Sequence, residues 1–184
     1  MTPSDKTPSE MSDDSPRTEM LQDNSLLTGG CQCGAVRFQA VRLGGAAICH
    51  CRMCQKAFGG FFGPLVSGYG VVWTRHEPTY FQSSNKFRRG FCAQCGTPLT
   101  YEALDRIDTD PIELAIGALD HPTLAAPTRQ VNLTDRLPFF ASLPDLPARA
   151  ADDAAWLETM TDLVSYQHPD HDTSFWPPSE GFPS

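Results

Sequence analysis

Long apolar runs are missing from this 184-residue chain: no stretch approaches the ~18 to 20 apolar residues that a membrane-spanning helix requires. Its opening residues, MTPSDKTPSEMSDDSPRTEM, also lack the apolar core and basic start of a secretory signal. The expectation is a cytoplasmic chain with no membrane partner, working under reducing conditions. Positive charge is scarce, with 14 Lys and Arg against 22 Asp and Glu, net −8. That deficit is confined to the ends: residues 1–24 carry net −4, residues 144–184 net −7, and the stretch between them net +3. So small a surplus does not indicate a polyanion-binding surface, and no nucleic-acid partner is expected. A small anionic ligand is compatible with it. An even set of cysteines is also missing. There are seven, so complete internal pairing would leave one over, and the compartment opposes disulfides as well.

Three regions differ in texture. Residues 1–24 are rich in Ser, Thr, Pro, Asp and Glu, with too little apolar content to offset the entropy of ordering, and read as a disordered acidic tail. Residues 25–143 hold every cysteine. They break into short segments with β-branched and aromatic residues, punctuated by Gly and Pro: AVRFQAV (35–41), FFGPLVS (61–67), VVW (71–73), TYFQS (79–83), FRRGF (87–91), PLTY (98–101) and IELAIG (112–117). Val36, Phe38 and Ala40 alternate with Arg37, Gln39 and Val41 at the two-residue period of a half-buried strand. This pattern predicts a mainly β domain. Residues 144–184 form an extension in which Ala154, Trp156, Leu157, Met160, Leu163 and Val164 recur at helical spacing behind Asp152 and Asp153, predicting one amphipathic helix over about 152–165. The remaining stretch is irregular, with Phe175, Trp176 and Phe182 placed to lie against a surface.

The cysteines fall into C-x-C (Cys31, Cys33), C-x-C-x-x-C (Cys49, Cys51, Cys54) and C-x-x-C (Cys92, Cys95). Residues two apart on an extended strand share a side, and C-x-x-C followed by Gly is a tight knuckle whose two sulfurs can hold one ion. Zinc is the natural occupant because it takes four sulfurs tetrahedrally and prefers thiolate over carboxylate. A closed site needs four ligands and an open one has three. The division that uses every cysteine therefore joins Cys31 and Cys33 with Cys92 and Cys95, leaving Cys49, Cys51 and Cys54 with a vacant fourth position: two zinc ions per chain. The competing reading is purely structural zinc, with His50 or an acid completing the second site. His50 sits between two ligands, where alternation turns it away, and is read first as a packed or hydrogen-bonded side chain. The other histidines have no partner at ligand spacing.

These residues resemble the glutathione-dependent formaldehyde-activating enzyme family, also called the CENP-V/GFA domain family, through TGGCQCGAVRF (28–38), CHCRMCQKAFGG (49–60), RRGFCAQCGTPLTY (88–101) and IELAIGALDHP (112–122). The resemblance implies a zinc-binding β structure of the Mss4-like, β-tent type. It also implies structural zinc on Cys31, Cys33, Cys92 and Cys95, catalytic zinc on Cys49, Cys51 and Cys54, and formation of S-(hydroxymethyl)glutathione from glutathione and formaldehyde, a carbon–sulfur lyase reaction in reverse. The chain departs from the family after LDHP, reading PTRQVNLTDRLPFF, with Gln130 and Phe139 or Phe140 where relatives often carry a histidine and a tryptophan.

Three thiolates would leave a zinc site with a net negative charge, better suited to a soft ligand than to activating water. A thiol entering the vacancy would lose its proton and add to a small aldehyde. Arg52, Lys56, Arg88 and Arg89 lie within or beside the cysteine motifs and are candidates to meet the carboxylates of glutathione. The alternative class is a zinc-stabilised interaction module of the same fold without catalysis, with the acidic tails as partner contacts.

Overall fold

The computed structural model describes residues 27–147, 158 and 160–177. The predicted tail over residues 1–24 lies outside them, as do residues 152–157 of the predicted C-terminal helix and Phe182. Within the rest of that helix, the Thr161 N–H donates to the Glu158 carbonyl and the Leu163 N–H to the Met160 carbonyl, forming turns, and residues 163–166 are irregular. Leu163 and Val164, placed by periodicity on an apolar stripe, are exposed.

Among the described residues ten strands form two sheets. Strands β1 (Thr28–Gly30), β2 (Arg37–Gln39) and β5 (Val72–Trp73) make a three-stranded antiparallel sheet in the order β1-β2-β5. The larger sheet contains β3 (Arg42–Cys49), β4 (Gly63–Tyr69), β6 (Thr79–Gln82), β7 (Phe87–Phe91), β8 (Pro98–Ala103), β9 (Ile112–Ala115) and β10 (Arg129–Val131). Its order is β10-β3-β4-β9-β8-β7-β6, antiparallel throughout except where β10 joins β3 in parallel. Phe38, Val66, Leu99 and Leu114 are completely buried and anchor the core. Each contributes about 1.5–3 kcal/mol by leaving water, and Trp73 meets Phe38 edge-to-face at 5.9 Å.

Sequence texture missed two elements that position the site. Strand β3 runs through RLGGAAIC, where two glycines argue for a loop. They are needed for close approach instead: a Cβ on Gly44 would meet the Tyr69 ring at 2.9 Å, and one on Gly45 the Arg129 guanidinium at 3.3 Å. The middle region is also not purely β. Helix α1 (Arg52–Phe58) is capped by the Cys51 sulfur, which accepts from the Cys54 N–H, and it stops at Gly59 in the left-handed conformation (φ 61°). At seven residues it is too short to show helical periodicity. No helix among the described residues is long and apolar enough to cross a membrane.

Residues 168–176 strap across the C-x-C turn. The His168 N–H donates to the Gln32 carbonyl at 2.7 Å, and Trp176 Nε1 donates to the Cys33 carbonyl at 3.0 Å. Arg75 ties the Gly34 carbonyl to the Thr173 carbonyl at 2.6 and 2.8 Å. Beneath the strap, Arg37 binds Asp120 and Asp172.

Candidate metal centre

The seven sulfurs gather as counting ligands predicted. Cys31, Cys33, Cys92 and Cys95 form one group and Cys49, Cys51 and Cys54 a second, each with its sulfurs within 4.8 Å of one another. An ion with ~2.3 Å metal–sulfur bonds in tetrahedral geometry requires sulfurs about 3.8 Å apart. Cys31 and Cys33 are 3.5 Å apart, and Cys33 and Cys92 3.7 Å, so the donors fit a thiolate-bound metal before any backbone movement. Both clusters can therefore hold a metal ion.

The four-sulfur cluster is built from two similar turns rather than from strands. Cys31 follows β1, its carbonyl accepts from the Gly34 N–H, and Gly34 closes the turn at φ 72°. Cys92 follows β7, its carbonyl accepts from the Gly96 N–H, and Gly96 closes at φ 77°. Only glycine takes these conformations without strain. Burial pushes the Cys33 thiol up. At Cys95 the same effect is outweighed by hydrogen bonds from Thr97, whose hydroxyl lies 3.1 Å from the sulfur, and the thiol falls to about 6.

The three-sulfur cluster sits where β3 ends and α1 begins. Cys49 is the last residue of β3, Cys51 caps the helix, and Cys54 lies in its first turn. Burial pushes Cys54 up to about 12 despite a hydrogen bond from Arg89. Burial also raises Cys49, but hydrogen bonds from the Cys51 backbone and from Asn132 outweigh it and leave that thiol below its ordinary value. The sulfurs open into a cleft of about 570 Å³ lined by Met53, Arg89, Tyr101, Glu113, Arg129 and Asn132 among others, a volume in the range of small-molecule sites.

His50 does not join the cluster. It is fully buried, its Nε2 lies 2.8 Å from Gln130 Oε1, and its ring meets Phe140 edge-to-face at 4.6 Å. Gln130 and Phe140 therefore build a wall around His50 behind the cysteines. Gln55, which sequence reasoning passed over, completes that wall by donating to the His50 carbonyl at 2.7 Å and the Asp135 carbonyl at 3.0 Å.

The four candidate cations separate. Arg88 and Arg89 are neighbours on β7 and point to opposite faces. Arg88 pairs across to Glu102, with Nη2 2.8 Å from a fully buried carboxylate, and covers the Tyr80 ring at 3.9 Å. That commitment turns it away from the cysteines. Arg89 faces the cleft. Lys56 is exposed and borders an adjoining groove with Met53 and Phe81, while Arg52 is exposed and donates to Gln55 Oε1 at 3.0 Å. Arg129, Tyr101, Glu113 and Asn132 were missed. The parallel pairing of β10 with β3 brings residues 129–131 beside 47–49, and no local sequence signal announces it.

A crystal structure of a Rhodobacter sphaeroides protein has 19% sequence identity to this chain, covering 56% of this chain and 99% of that one, with a TM-score of 0.44. The family model described as "Glutathione-dependent formaldehyde-activating enzyme" matches residues 26–135, a span that contains both cysteine clusters and β1 through β10. The chain belongs to the glutathione-dependent formaldehyde-activating enzyme family.

Proposed function

We propose that the three-cysteine cleft catalyses the reversible addition of a small thiol, glutathione or one like it, to formaldehyde or a related small aldehyde, as a carbon–sulfur lyase working in the direction of synthesis. The observation that carries this reading is the unequal division of sulfurs: a closed group of four, and a group of three facing a cleft. We assign zinc to both. At the three-sulfur site Cys49, Cys51 and Cys54 would hold a zinc ion, which would supply a soft Lewis-acid position for a thiolate.

The chain's own residues account for the rest. Cys49, Cys51 and Cys54 fix the position at one end of the cleft, held by the β3–α1 junction. Arg129, at the open side, is placed to meet a carboxylate of the thiol, and Lys56 borders the groove that continues from it. Burial raises the phenol of Tyr101, so its hydroxyl keeps its proton at neutral pH and offers a donor at the cleft wall. In the forward direction the thiol gives its proton to solvent, its sulfur bonds to the carbonyl carbon, and the carbonyl oxygen takes up a proton, giving a hemithioacetal. The reverse returns thiol and aldehyde.

Carbon NMR exchange spectroscopy on zinc-loaded protein with glutathione and isotope-labelled formaldehyde tests this. Exchange between free aldehyde and hemithioacetal should be faster than in protein-free solution, and Cys54→Ser should abolish the acceleration. Exchange at the protein-free rate with both sites filled would leave the non-catalytic interaction module as the better account.

A further inference from the structure

Two arginines are buried among the described residues, Arg37 and Arg89. A buried guanidinium cannot shed its proton, so it must be matched by negative charge or by acceptors. Arg37 is matched twice over, by Asp120 and by Asp172. Arg89 is not. It is 8% exposed, and among the described residues it forms no ion pair with any carboxylate. Its Nη2 instead lies 3.5 Å from Cys54 Sγ, and its guanidinium carbon lies 4.8 Å from the centroid of the Tyr101 ring. Among the described residues the partner of this buried charge is a sulfur of the cluster.

A second side chain aims at another sulfur of the same cluster. Asn132 Nδ2 donates to Cys49 Sγ at 3.2 Å. Its backbone is left-handed (φ 56°, ψ 50°), the only residue other than glycine with positive φ among those described. Asparagine tolerates that conformation best. The residue before it is pinned, since Val131 stands opposite Cys49 in the β10–β3 register and its carbonyl accepts from the His50 N–H at 3.0 Å. Among the described residues the four-sulfur cluster has no such partners: its sulfurs are met by backbone N–H groups, including Val36 at 3.2 Å from Cys31 Sγ, Ala35 at Cys33 and Thr97 at Cys95, and by the Thr97 hydroxyl at Cys95. One cluster is served by neutral local groups, and the other by a cation and an amide brought from distant strands.

Resting on the thiol-addition reading above, we propose that Arg89 and Asn132 are positioning residues that draw charge off the sulfurs of Cys54 and Cys49, so that the three-thiolate site, otherwise anionic, accepts the further negative charge of an incoming thiolate. This moves Arg89 from the role of carboxylate contact to that of counter-ion. An arginine already engaged by the cluster serves any thiol alike, whether or not the thiol carries a carboxylate. Outer-shell donors of this kind tune the electron density of metal ligands and the affinity of the site for its next ligand.

The test uses full-length protein substituted with cobalt, whose sulfur-to-metal charge-transfer bands report on the thiolates, titrated with glutathione and separately with 2-mercaptoethanol, which has no carboxylate. Arg89→Met should weaken both thiols by at least about tenfold, the scale of a charged hydrogen bond. It should also move the charge-transfer bands to lower energy before any thiol is added. Arg89→Lys should recover part of both effects, and Asn132→Leu should produce a smaller shift in the same direction. Weakening of glutathione alone would return Arg89 to the carboxylate role and overturn the proposal, as would bands that stay in place in both variants. If neither thiol perturbs the wild-type spectrum, the thiol reading fails, and the band shifts still decide whether these side chains act on the sulfurs.

Discussion

Replacing Arg37 with methionine should destabilise the protein severely, and in a pH-dependent way that separates charge from packing. Arg37 is 3% exposed; its Nη1 donates to Asp120 Oδ1 at 2.8 Å and its Nε to Asp172 Oδ1 at 3.0 Å. Asp120 is itself buried and also accepts from the Thr28 hydroxyl, whereas the Asp172 side chain is 46% exposed. Methionine fills most of the volume but leaves Asp120 as a buried carboxylate without its cation, which costs about 3–5 kcal/mol. At ~2–4 °C per kcal/mol for a chain of this size, the melting temperature should fall by about 6–20 °C. Asp172→Asn should cost no more than about 1 kcal/mol, because that carboxylate is open to solvent.

The pH dependence fixes the sign. Burial raises the Asp120 carboxyl, but Arg37 and Thr28 outweigh it and hold it below the ordinary carboxylate range. In the wild type its contribution is present above about pH 3.9 and is lost as pH falls below that value. Without Arg37 the Thr28 hydroxyl is the hydrogen-bond donor left to stand against burial, so the carboxyl rises and its contribution is lost as pH rises. The gap between Arg37→Met and wild type should therefore be narrower at pH 5 than at pH 8. Urea unfolding of zinc-saturated protein, followed by tryptophan fluorescence, measures it. A loss under about 1 kcal/mol, or a gap that is the same at both pH values, would refute the argument.

Other expectations follow from the same geometry. Cys95→Ser should unfold the domain, since its cluster joins turns 59 residues apart, as from Cys33 to Cys92. Cys54→Ser should keep cooperative unfolding and lose one of two zincs by elemental analysis; equal damage from both would remove the distinction between closed and open sites. Burial and the nearby Arg37 hold the His168 imidazole below its ordinary value, so its contribution to stability should fall as pH drops below about 6.5. His168→Gln should flatten the stability profile there relative to wild type, and a parallel profile would count against it. Arg129→Met should raise the KM for glutathione about tenfold, the loss of one charged hydrogen bond, with kcat little changed. An effect confined to kcat would contradict a carboxylate contact.

The two cysteine clusters were legible in the sequence because their chemistry is local: C-x-C and C-x-x-C bring two sulfurs together whatever the rest of the fold does, and a division into four and three uses all seven. The β character was legible for the same reason, in runs such as FRRGF and PLTY. What surrounds the clusters was not. Asn132 reaches Cys49, and Gln130 reaches His50, only because β10 adds to the edge of β3, a pairing across about eighty residues with no periodic signal. The split between Arg88 and Arg89 needed the β7–β8 register, which places Glu102 opposite the first and Tyr101 opposite the second. Asp172 and His168 lie in a stretch that reads as irregular in sequence, and the strap brings them to Arg37 and Gln32.

The central claim is an open thiol position at Cys49, Cys51 and Cys54 beside a closed cluster of four. Cadmium NMR of the metal-substituted protein addresses it directly, because the cadmium shift is sensitive to the number of coordinating sulfurs. Two resonances are predicted. Glutathione should move only the one that disappears in Cys54→Ser, toward the position of the other. Two resonances that both ignore glutathione would contradict the account.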